Sequence, residues 1–148
     1  MRPTVAFFPN QQDQAVTLAA APNAVPLARR LVAEVARHWH LPTELIYDTE
    51  TIVSELATNA LKATDAFHRA MGITEIGRIR LRLKWTSPSL FTEVWDINPV
   101  LPTKRQPNDL DLDGRGLGII EMLSARWSAV HCEKGGKVVW AEQRLCSY

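Results

Sequence analysis

The chain has 148 residues, with 17 Lys and Arg against 16 Asp and Glu, so its formal net charge is +1. Hydrophobic residues make up 46% of the sequence and charged residues 22%, which is ordinary for a globular domain and argues against disorder. The balanced charge argues against a protein that coats nucleic acid, although it leaves room for a local basic patch. Two cysteines are too few for a disulfide scaffold, and we expect a cytoplasmic protein with reduced thiols.

The first third of the chain predicts an irregular leader, a strand and a helix. Residues 1–13 are rich in proline and polar side chains, so we expect a leader there and a single domain over residues 14–146. In residues 14–20 apolar side chains alternate with polar or small ones, and this pattern predicts a strand. A helix is predicted between the candidate N-cap Asn23 and Pro42, with apolar residues at helical spacing: Leu27, Leu31, Val32, Val35 and Trp39.

The strongest helical pattern lies at residues 44–70, with Thr43 as a candidate cap. Its apolar stripe repeats every three or four residues and consists of Leu45, Thr49, Ile52, Leu56 and Ala60, widened by Ile46, Val53, Ala57 and Leu61. Residues 77–85 then alternate between apolar and basic side chains, and residues 90–97 follow after a proline-containing turn. This pair predicts an antiparallel hairpin with one buried face.

The last third predicts a loop, a helix and two closing strands. Residues 98–113 contain three prolines and three aspartates without periodicity, and a loop of this length is often functional. A helix should follow residues 114–118 and end near Arg126, and strands should occupy residues 127–133 and 137–144 around a Gly-Gly turn. Grouped strands predict an α+β fold, a two-layer sandwich with helices on one face of a mixed, mostly antiparallel sheet.

Glu55 and Asn59 are the first candidates for chemistry, because four residues separate them on the long helix and place them on one face. Asn59 offers an oxygen to a hard cation such as Mg²⁺, and Glu55 could activate a water or hydroxyl. A solvated helix edge remains the commoner interpretation of such a pair. Asp96, at the end of a predicted strand, could accept the exocyclic amine of adenine or simply form a turn.

Three glycines, Gly114, Gly116 and Gly118, come just before the third predicted helix, with Arg115 between them. Backbone N–H groups at such a helix start favour a phosphate, whereas a flexible turn is the alternative. The aspartates at positions 109, 111 and 113 match the opening of a calcium loop, but its final Glu is absent from the required position, Ile120. The basic stripe of Arg78, Arg80, Arg82 and Lys84 fits a solvated strand face or, less commonly, a surface that binds an acidic partner or a nucleic acid.

The order of these motifs resembles the GHKL, or Bergerat-type, ATP-binding fold of histidine kinases, gyrase-like enzymes and Hsp90. Residues 55–60 (ELATNA) look like the N box, residues 94–99 (VWDINP) like the first glycine box, and residues 114–119 (GRGLGI) like the second. With the closing residues 137–142 (KVVWAE), the chain resembles the small anti-sigma-factor serine kinases of actinobacteria and their stand-alone relatives over about residues 14–144.

The resemblance implies ATP and Mg²⁺ as ligands. It implies that Glu55 is the general base and that Asn59 coordinates Mg²⁺. The adenine amine would bind Asp96 within the box that contains Asn98, and the second box would hold the phosphates; its residues are Gly114, Arg115, Gly116, Leu117 and Gly118. The implied partners are a small antagonist protein, phosphorylated on a serine, and a sigma factor, with a homodimer as a further possibility. Nucleic acid and membrane are not expected partners.

Two positions depart from the family pattern. Ala63 stands where the N box often has a histidine, and Asn98 stands where the first glycine box usually has a glycine. They motivate a second hypothesis, in which the protein keeps the fold but acts as a non-enzymatic interaction module for a sigma factor or an antagonist.

Overall fold

The computed structural model describes residues 11–103 and 113–145. Within these ranges five strands and three helices follow one another. They are β1 (Gln11–Ala19), α1 (Ala24–His38), α2 (Thr43–Met71), β2 (Arg78–Thr86), β3 (Ser89–Asp96), α3 (Asp113–Leu123), β4 (Arg126–His131) and β5 (Lys137–Arg144). None of the helices in this part of the chain is both long and apolar enough to cross a lipid bilayer.

The strands form one sheet in the order β1-β2-β3-β5-β4, and every neighbouring pair is antiparallel. Helices α1 and α2 pack against each other, α2 lies against β3, and α3 packs on α2. Buried apolar side chains of the sheet face this helical layer and form one core with it. The predicted α+β fold with helices on one face is therefore confirmed.

The predicted hairpin is the pair β2 and β3. Leu81 pairs with Val94 across the two strands, and both side chains are buried in the core. The alternating basic residues of β2 lie on the opposite face. Because successive side chains of a strand point to opposite faces, the sequence alternation was sufficient to assign both the strand and its buried side.

Helix α2 buries the predicted stripe, since Leu45, Thr49, Ile52, Leu56 and Ala60 are all buried. The predicted cap is wrong: Thr43 is the first helical residue, Pro42 takes the N-cap position, and no side chain caps the helix. At the other end Gly72 adopts a φ of 67°, a left-handed conformation that glycine reaches without steric cost.

Helix α1 exists as predicted, but its buried face differs from the predicted stripe. The fully buried side chains are small and mostly four residues apart: Ala24, Ala28, Val32, Ala33 and Ala36. Leu27 is 36% exposed, and Leu31, Val35 and Trp39 only border the core. Alanine lets two helices approach closely, so the larger residues are displaced to the edge. Asn23 occupies the predicted N-cap position, although its side chain makes no capping hydrogen bond.

Boundaries shift at both ends of the chain. Strand β1 begins at Gln11, three residues before the predicted start, and residues 1–10 lie outside the described part. Helix α3 begins at Asp113 and ends at Leu123, so Arg126 belongs to β4 and not to the helix. The predicted turn at Gly135 and Gly136 is present, with φ of 104° and 76°.

Candidate functional site

A cavity of about 280 Å³ lies between α2, the end of β3, β5 and α3. Its lining includes four of the residues that the resemblance assigns to the nucleotide site, which are Asn59, Asp96, Asn98 and Leu117. Lys137 and the apolar side chains Val94 and Val139 complete its floor. The fold therefore brings together groups from three separate segments of the chain, as the resemblance implies for a nucleotide site.

Asp96, the last residue of β3, is 1% exposed at the floor of this cavity. Its Oδ1 atom accepts hydrogen bonds from Lys137 Nζ at 3.0 Å and from the backbone N–H of Asn98 at 2.8 Å. Burial raises the pKa of Asp96 above its ordinary value, against the hydrogen bond and charge of Lys137, which lower it. A buried carboxylate with a cation beside it is thus the main polar feature of the floor.

Asn98 closes the gap between the end of β3 and helix α2. Its Nδ2 donates to the carbonyl oxygen of Ala63 at 3.0 Å, and its Oδ1 accepts from the N–H of Val100 at 2.9 Å. Both positions that depart from the family pattern therefore meet in one contact. The side chain of Asn98 thus joins the end of β3 to the backbone of α2 at the wall of the cavity. The backbone carbonyl oxygen of Asn98 accepts a hydrogen bond from Lys137 Nζ.

Glu55 and Asn59 are both half-buried on α2, one helical turn apart. Asn59 lines the cavity, whereas Glu55 is not among its lining residues. Asn59 can therefore present its carbonyl oxygen to a group inside the cavity. Glu55 sits one turn towards the N-terminus of α2, outside the lining.

The three glycines lie inside α3 and not before it, so the expected glycine loop preceding the helix is wrong in position. Because α3 begins at Asp113, its unbonded N–H groups belong to the first turn, which contains Gly114 and Gly116. Gly118 lies in the second turn, where its N–H bonds within the helix. A Cβ at Gly118 would meet no atom of the described residues within 4 Å, so nothing in this part of the chain requires a glycine there.

Part of the predicted glycine and calcium motifs lies outside the described residues. This applies to the side chain of Arg115 and to Asp109 and Asp111. Within the described ranges no group of three or more His, Cys, Asp or Glu side chains could hold a metal ion. Of the two cysteines, Cys132 is a half-buried free thiol just after β4, and Cys146 is outside the described part.

A larger cavity of about 770 Å³ lies on the other face of the sheet, and His68 near the end of α2 is among its lining residues. It includes Arg78, Arg80 and Arg82 of the basic stripe but none of the residues predicted for nucleotide binding. Arg82 in this stripe is paired with Asp13, at 2.9 Å from Nε to Oδ1, and with Glu93 at 3.6 Å. The smaller cavity, and not the larger one, therefore matches the predicted chemistry.

Lys137 is the residue of this site that sequence reasoning missed. It pairs with Asp96 across β3 and β5, and its side chain points to the buried face together with Val139 and Ala141. A lysine at an inward position of a strand is rarely buried unless it is paired. In the alternating pattern of β5, Lys137 falls on the same face as the apolar residues Val139 and Ala141. A lysine at such a position was the signal in the sequence that could have identified it.

The comparisons with known proteins agree with this geometry. The sequence matches the profile of the histidine kinase-like ATPase domain over residues 18–142. No curated protein matches the chain significantly. One similar solved structure, the RsbU and RsbW domains of Rv1364c from Mycobacterium tuberculosis, is 21% identical with a TM-score of 0.65. The match covers 90% of this chain and 32% of the mycobacterial chain, so this chain spans about a third of the length of the mycobacterial one.

Because the profile covers most of its length, the chain belongs to the histidine kinase-like ATPase domain family. The similarity to the mycobacterial structure concerns the fold, which is the GHKL arrangement of helices on one face of a sheet. The resemblance to the GHKL family is thereby confirmed. Family membership supports ATP binding by this domain.

Proposed function

We propose that the protein binds Mg-ATP in the cavity between α2, β3 and α3 and acts as a serine/threonine kinase of the anti-sigma-factor type. Its substrate would be a serine of a small antagonist protein, in competition with a sigma factor. The observation that carries the proposal is the convergence of Asn59, Asp96 and Leu117 on one cavity in a chain of this family. The RsbW domain in the similar structure supports this branch of the family.

The size and polarity of the cavity support a purine base at its floor. Its volume of about 280 Å³ is slightly below the range of about 300–1,000 Å³ for whole small-molecule sites, which suits a base with its phosphates outside. Asp96 provides an acceptor for the exocyclic amine. The N-terminal half of the 11-residue helix α3 borders the cavity through Leu117, and the N–H groups and dipole at the start of this helix favour phosphates.

The residues present fit a magnesium ion that is held mainly by the nucleotide. Mg²⁺ keeps several waters and commonly takes only one or two protein oxygens together with phosphate oxygens. Asn59 supplies one such oxygen at the cavity wall. When bound, the ion neutralises the charge of the phosphates and orients them.

Glu55 is proposed as the general base. The serine oxygen of the antagonist forms a bond to the γ-phosphorus, and the bond between that phosphorus and the β–γ bridging oxygen breaks, so ADP leaves. Glu55 accepts the hydroxyl proton in this step. Its place one turn from Asn59 would set the base beside the phosphates and away from the adenine floor.

Isothermal titration calorimetry with Mg-ATP tests the binding proposal. We expect saturable binding by the wild type and an affinity at least tenfold weaker in Asn59→Ala and Asp96→Asn, since each removes a polar contact to the ligand. Asp65→Asn is a matched control, because Asp65 is an exposed carboxylate of α2 that forms an ion pair with Arg69 and does not line the cavity. Absence of binding at millimolar nucleotide by the folded wild type would overturn the proposal.

Phosphate transfer tests the catalytic part separately. Glu55→Gln should bind Mg-ATP as the wild type does but lose a factor of about 10²–10⁴ in turnover, the typical contribution of a general base. Glu44→Gln is the matched control, because Glu44 is an exposed acid in the first turn of the same helix. Equal turnover by Glu55→Gln and the wild type would remove Glu55 from the mechanism.

A second function, a non-enzymatic interaction module of the same fold, is favoured by one specific observation. The carboxylate of Asp96 is already engaged by Lys137 and by the N–H of Asn98, so part of the floor is satisfied without a ligand. This candidate predicts capture of a sigma factor or antagonist that does not depend on nucleotide, together with no ATP turnover. Nucleotide-dependent capture would instead favour the kinase.

Assembly and location complete the proposal. By its resemblance we propose a cytoplasmic protein that forms a homodimer. Sedimentation equilibrium should then give about twice the chain mass of 16.6 kDa. A single species at the chain mass at high micromolar concentration would contradict the dimer.

A further inference from the structure

Lys137 is a buried cation in the wall of the candidate nucleotide cavity. The residue is 4% exposed, and its Nζ lies 3.0 Å from Asp96 Oδ1 and 2.7 Å from the carbonyl oxygen of Asn98. It lines the same cavity as Asp96. Burying a lysine is costly, and its two partners both belong to the floor of this cavity.

The hydrogen-bond inventory of this pair leaves one donor and one acceptor. An ammonium group carries three N–H donors, and Lys137 uses two of them on the atoms just named. Both contacts that Asp96 makes in the described part of the chain fall on Oδ1, so Oδ2 remains as its second acceptor. Because the two residues are direct cross-strand partners, the remaining donor and acceptor are neighbours in the cavity wall.

We propose that Lys137 is a specificity-determining residue that reads the six-position edge of a purine together with Asp96. This inference rests on the proposed function, because it requires a nucleotide base at the floor of this cavity. For adenine, the exocyclic amine donates to Asp96 Oδ2 while ring nitrogen N1 accepts from Lys137 Nζ. For a 6-oxo purine such as hypoxanthine, the carbonyl oxygen accepts from Lys137 and the N1–H donates to Asp96.

The consequence is relaxed discrimination between 6-amino and 6-oxo purines. A carboxylate alone repels a purine carbonyl oxygen, which would leave buried polar groups unpaired and reject the 6-oxo base strongly. An ammonium group next to the carboxylate supplies the missing donor. The cavity can then pair with either kind of purine. The six-position substituent meets Asp96 in a 6-amino purine and Lys137 in a 6-oxo purine.

Nucleotide analogues test this on the unmodified protein. Titration calorimetry should show that 1-deaza-ATP, which lacks the N1 acceptor, binds about tenfold more weakly than ATP. Inosine triphosphate should bind within about tenfold of ATP. If ATP binds but 1-deaza-ATP binds equally well, the role of Lys137 is overturned while the proposed function stands. If no nucleotide binds, both the proposed function and this inference fail.

Substitution of Lys137 adds a second test with a readout that a purely structural role would not move. In Lys137→Met the difference between ATP and 1-deaza-ATP should disappear, and the preference for ATP over inosine triphosphate should grow by at least tenfold. Lys134→Met is the matched control, because Lys134 is an exposed lysine three residues earlier. Unchanged base preference in a folded Lys137→Met would contradict the proposal, and the analogue series on the wild type decides the question if this variant does not fold.

Discussion

Glu142 shows how one residue of the sheet can control stability without taking part in the site. Its carboxylate is 1% exposed and accepts hydrogen bonds from Ser89 at 2.7 Å, from Arg144 at 3.0 Å and from Arg126. Burial alone would raise the pKa of Glu142, but these three donors outweigh it and lower the pKa to about 2. The ionised side chain is therefore part of the native structure at neutral pH.

This lowered pKa predicts a loss of stability in acid. A carboxylate whose folded pKa lies below its unfolded value of 4.5 stabilises the fold above that value, and the contribution is lost as the pH falls from about 5 to 2. The shift corresponds to about 3 kcal/mol of unfolding free energy. Urea denaturation at a series of pH values should show this slope in the wild type and a flatter one in Glu142→Gln.

Glu133→Gln is the control for this measurement, since Glu133 is an exposed carboxylate on the turn between β4 and β5. It should keep the acid slope of the wild type. An equally steep slope in Glu142→Gln would assign the acid sensitivity to other groups.

Two buried threonines provide a matched pair of hydroxyls. Thr92 Oγ1 is a buried side-chain oxygen without a hydrogen-bond partner in the described part of the chain, whereas the Thr49 hydroxyl lies 2.6 Å from the carbonyl of Leu45 and 2.8 Å from Gln143 Oε1. Removing an unpaired buried hydroxyl is favourable, and removing a paired one is costly. Thr92→Val should raise the unfolding free energy by about 1 kcal/mol, and Thr49→Val should lower it by a similar amount.

Chemical denaturation of the two variants checks this prediction directly, because both changes have the same chemistry and both sites are 0% exposed. Destabilisation of the same size at both positions would show that the hydroxyl of Thr92 has a partner that the static structure does not contain.

At the scale of elements, a substitution in α3 distinguishes what the stability of the fold requires from what ligand binding requires. Gly118 is a half-buried helical residue with open space at its Cβ position, so Gly118→Ala should raise the unfolding free energy by about 0.5–1 kcal/mol. If phosphates approach this face of α3, the added methyl group should weaken Mg-ATP binding. In this one variant the midpoint of thermal denaturation should thus rise, while the affinity for Mg-ATP measured by calorimetry should fall.

The opposite result is equally informative. An affinity for Mg-ATP that is unchanged or tighter in Gly118→Ala would show that the phosphates do not approach the second turn of α3. The first turn, with Gly114 and Gly116, would then remain as the phosphate contact of this helix.

The sequence predicts those elements whose pattern is local. Helix α2 and the hairpin of β2 and β3 follow from periods of about 3.6 and 2 in large apolar side chains. Helix α1 was placed correctly and Val32 of its predicted stripe is buried, but the buried alanines such as Ala28 and Ala36 were missed, because alanine contributes little to a hydrophobic pattern. The start of α3 was missed because glycines have low helix propensity.

The interactions that complete the site are not local, and the sequence could not provide them. Lys137 meets Asp96 across 41 positions of the chain, and this contact cannot be predicted without the strand order and register. Asn59 and Asp96 were candidates from their places on a predicted helix and at a predicted strand end, and the family resemblance implied their roles. The convergence of these residues on one cavity depends on the whole fold.

For the whole molecule, the two cavities on opposite faces of the sheet make the central claim testable in one experiment. Nucleotide should occupy the cavity of about 280 Å³ at Asp96, and not the one of about 770 Å³ that contains Arg80 and Trp95. The indole N–H of Trp95 donates to the carbonyl oxygen of Gly135, and its signal reports on the larger cavity. The side-chain amides of Asn59 and Asn98 report on the smaller cavity.

The most direct measurement is therefore a titration of the ¹⁵N-labelled protein with Mg-ATP, followed by two-dimensional NMR. We expect the side-chain amides of Asn59 and Asn98 and the backbone amide of Leu117 to shift with one saturable dissociation constant, while the Trp95 indole signal moves little. Saturable shifts at Trp95 and along β2 with unchanged signals at Asn59 and Asn98, or no shifts at millimolar nucleotide, would contradict it.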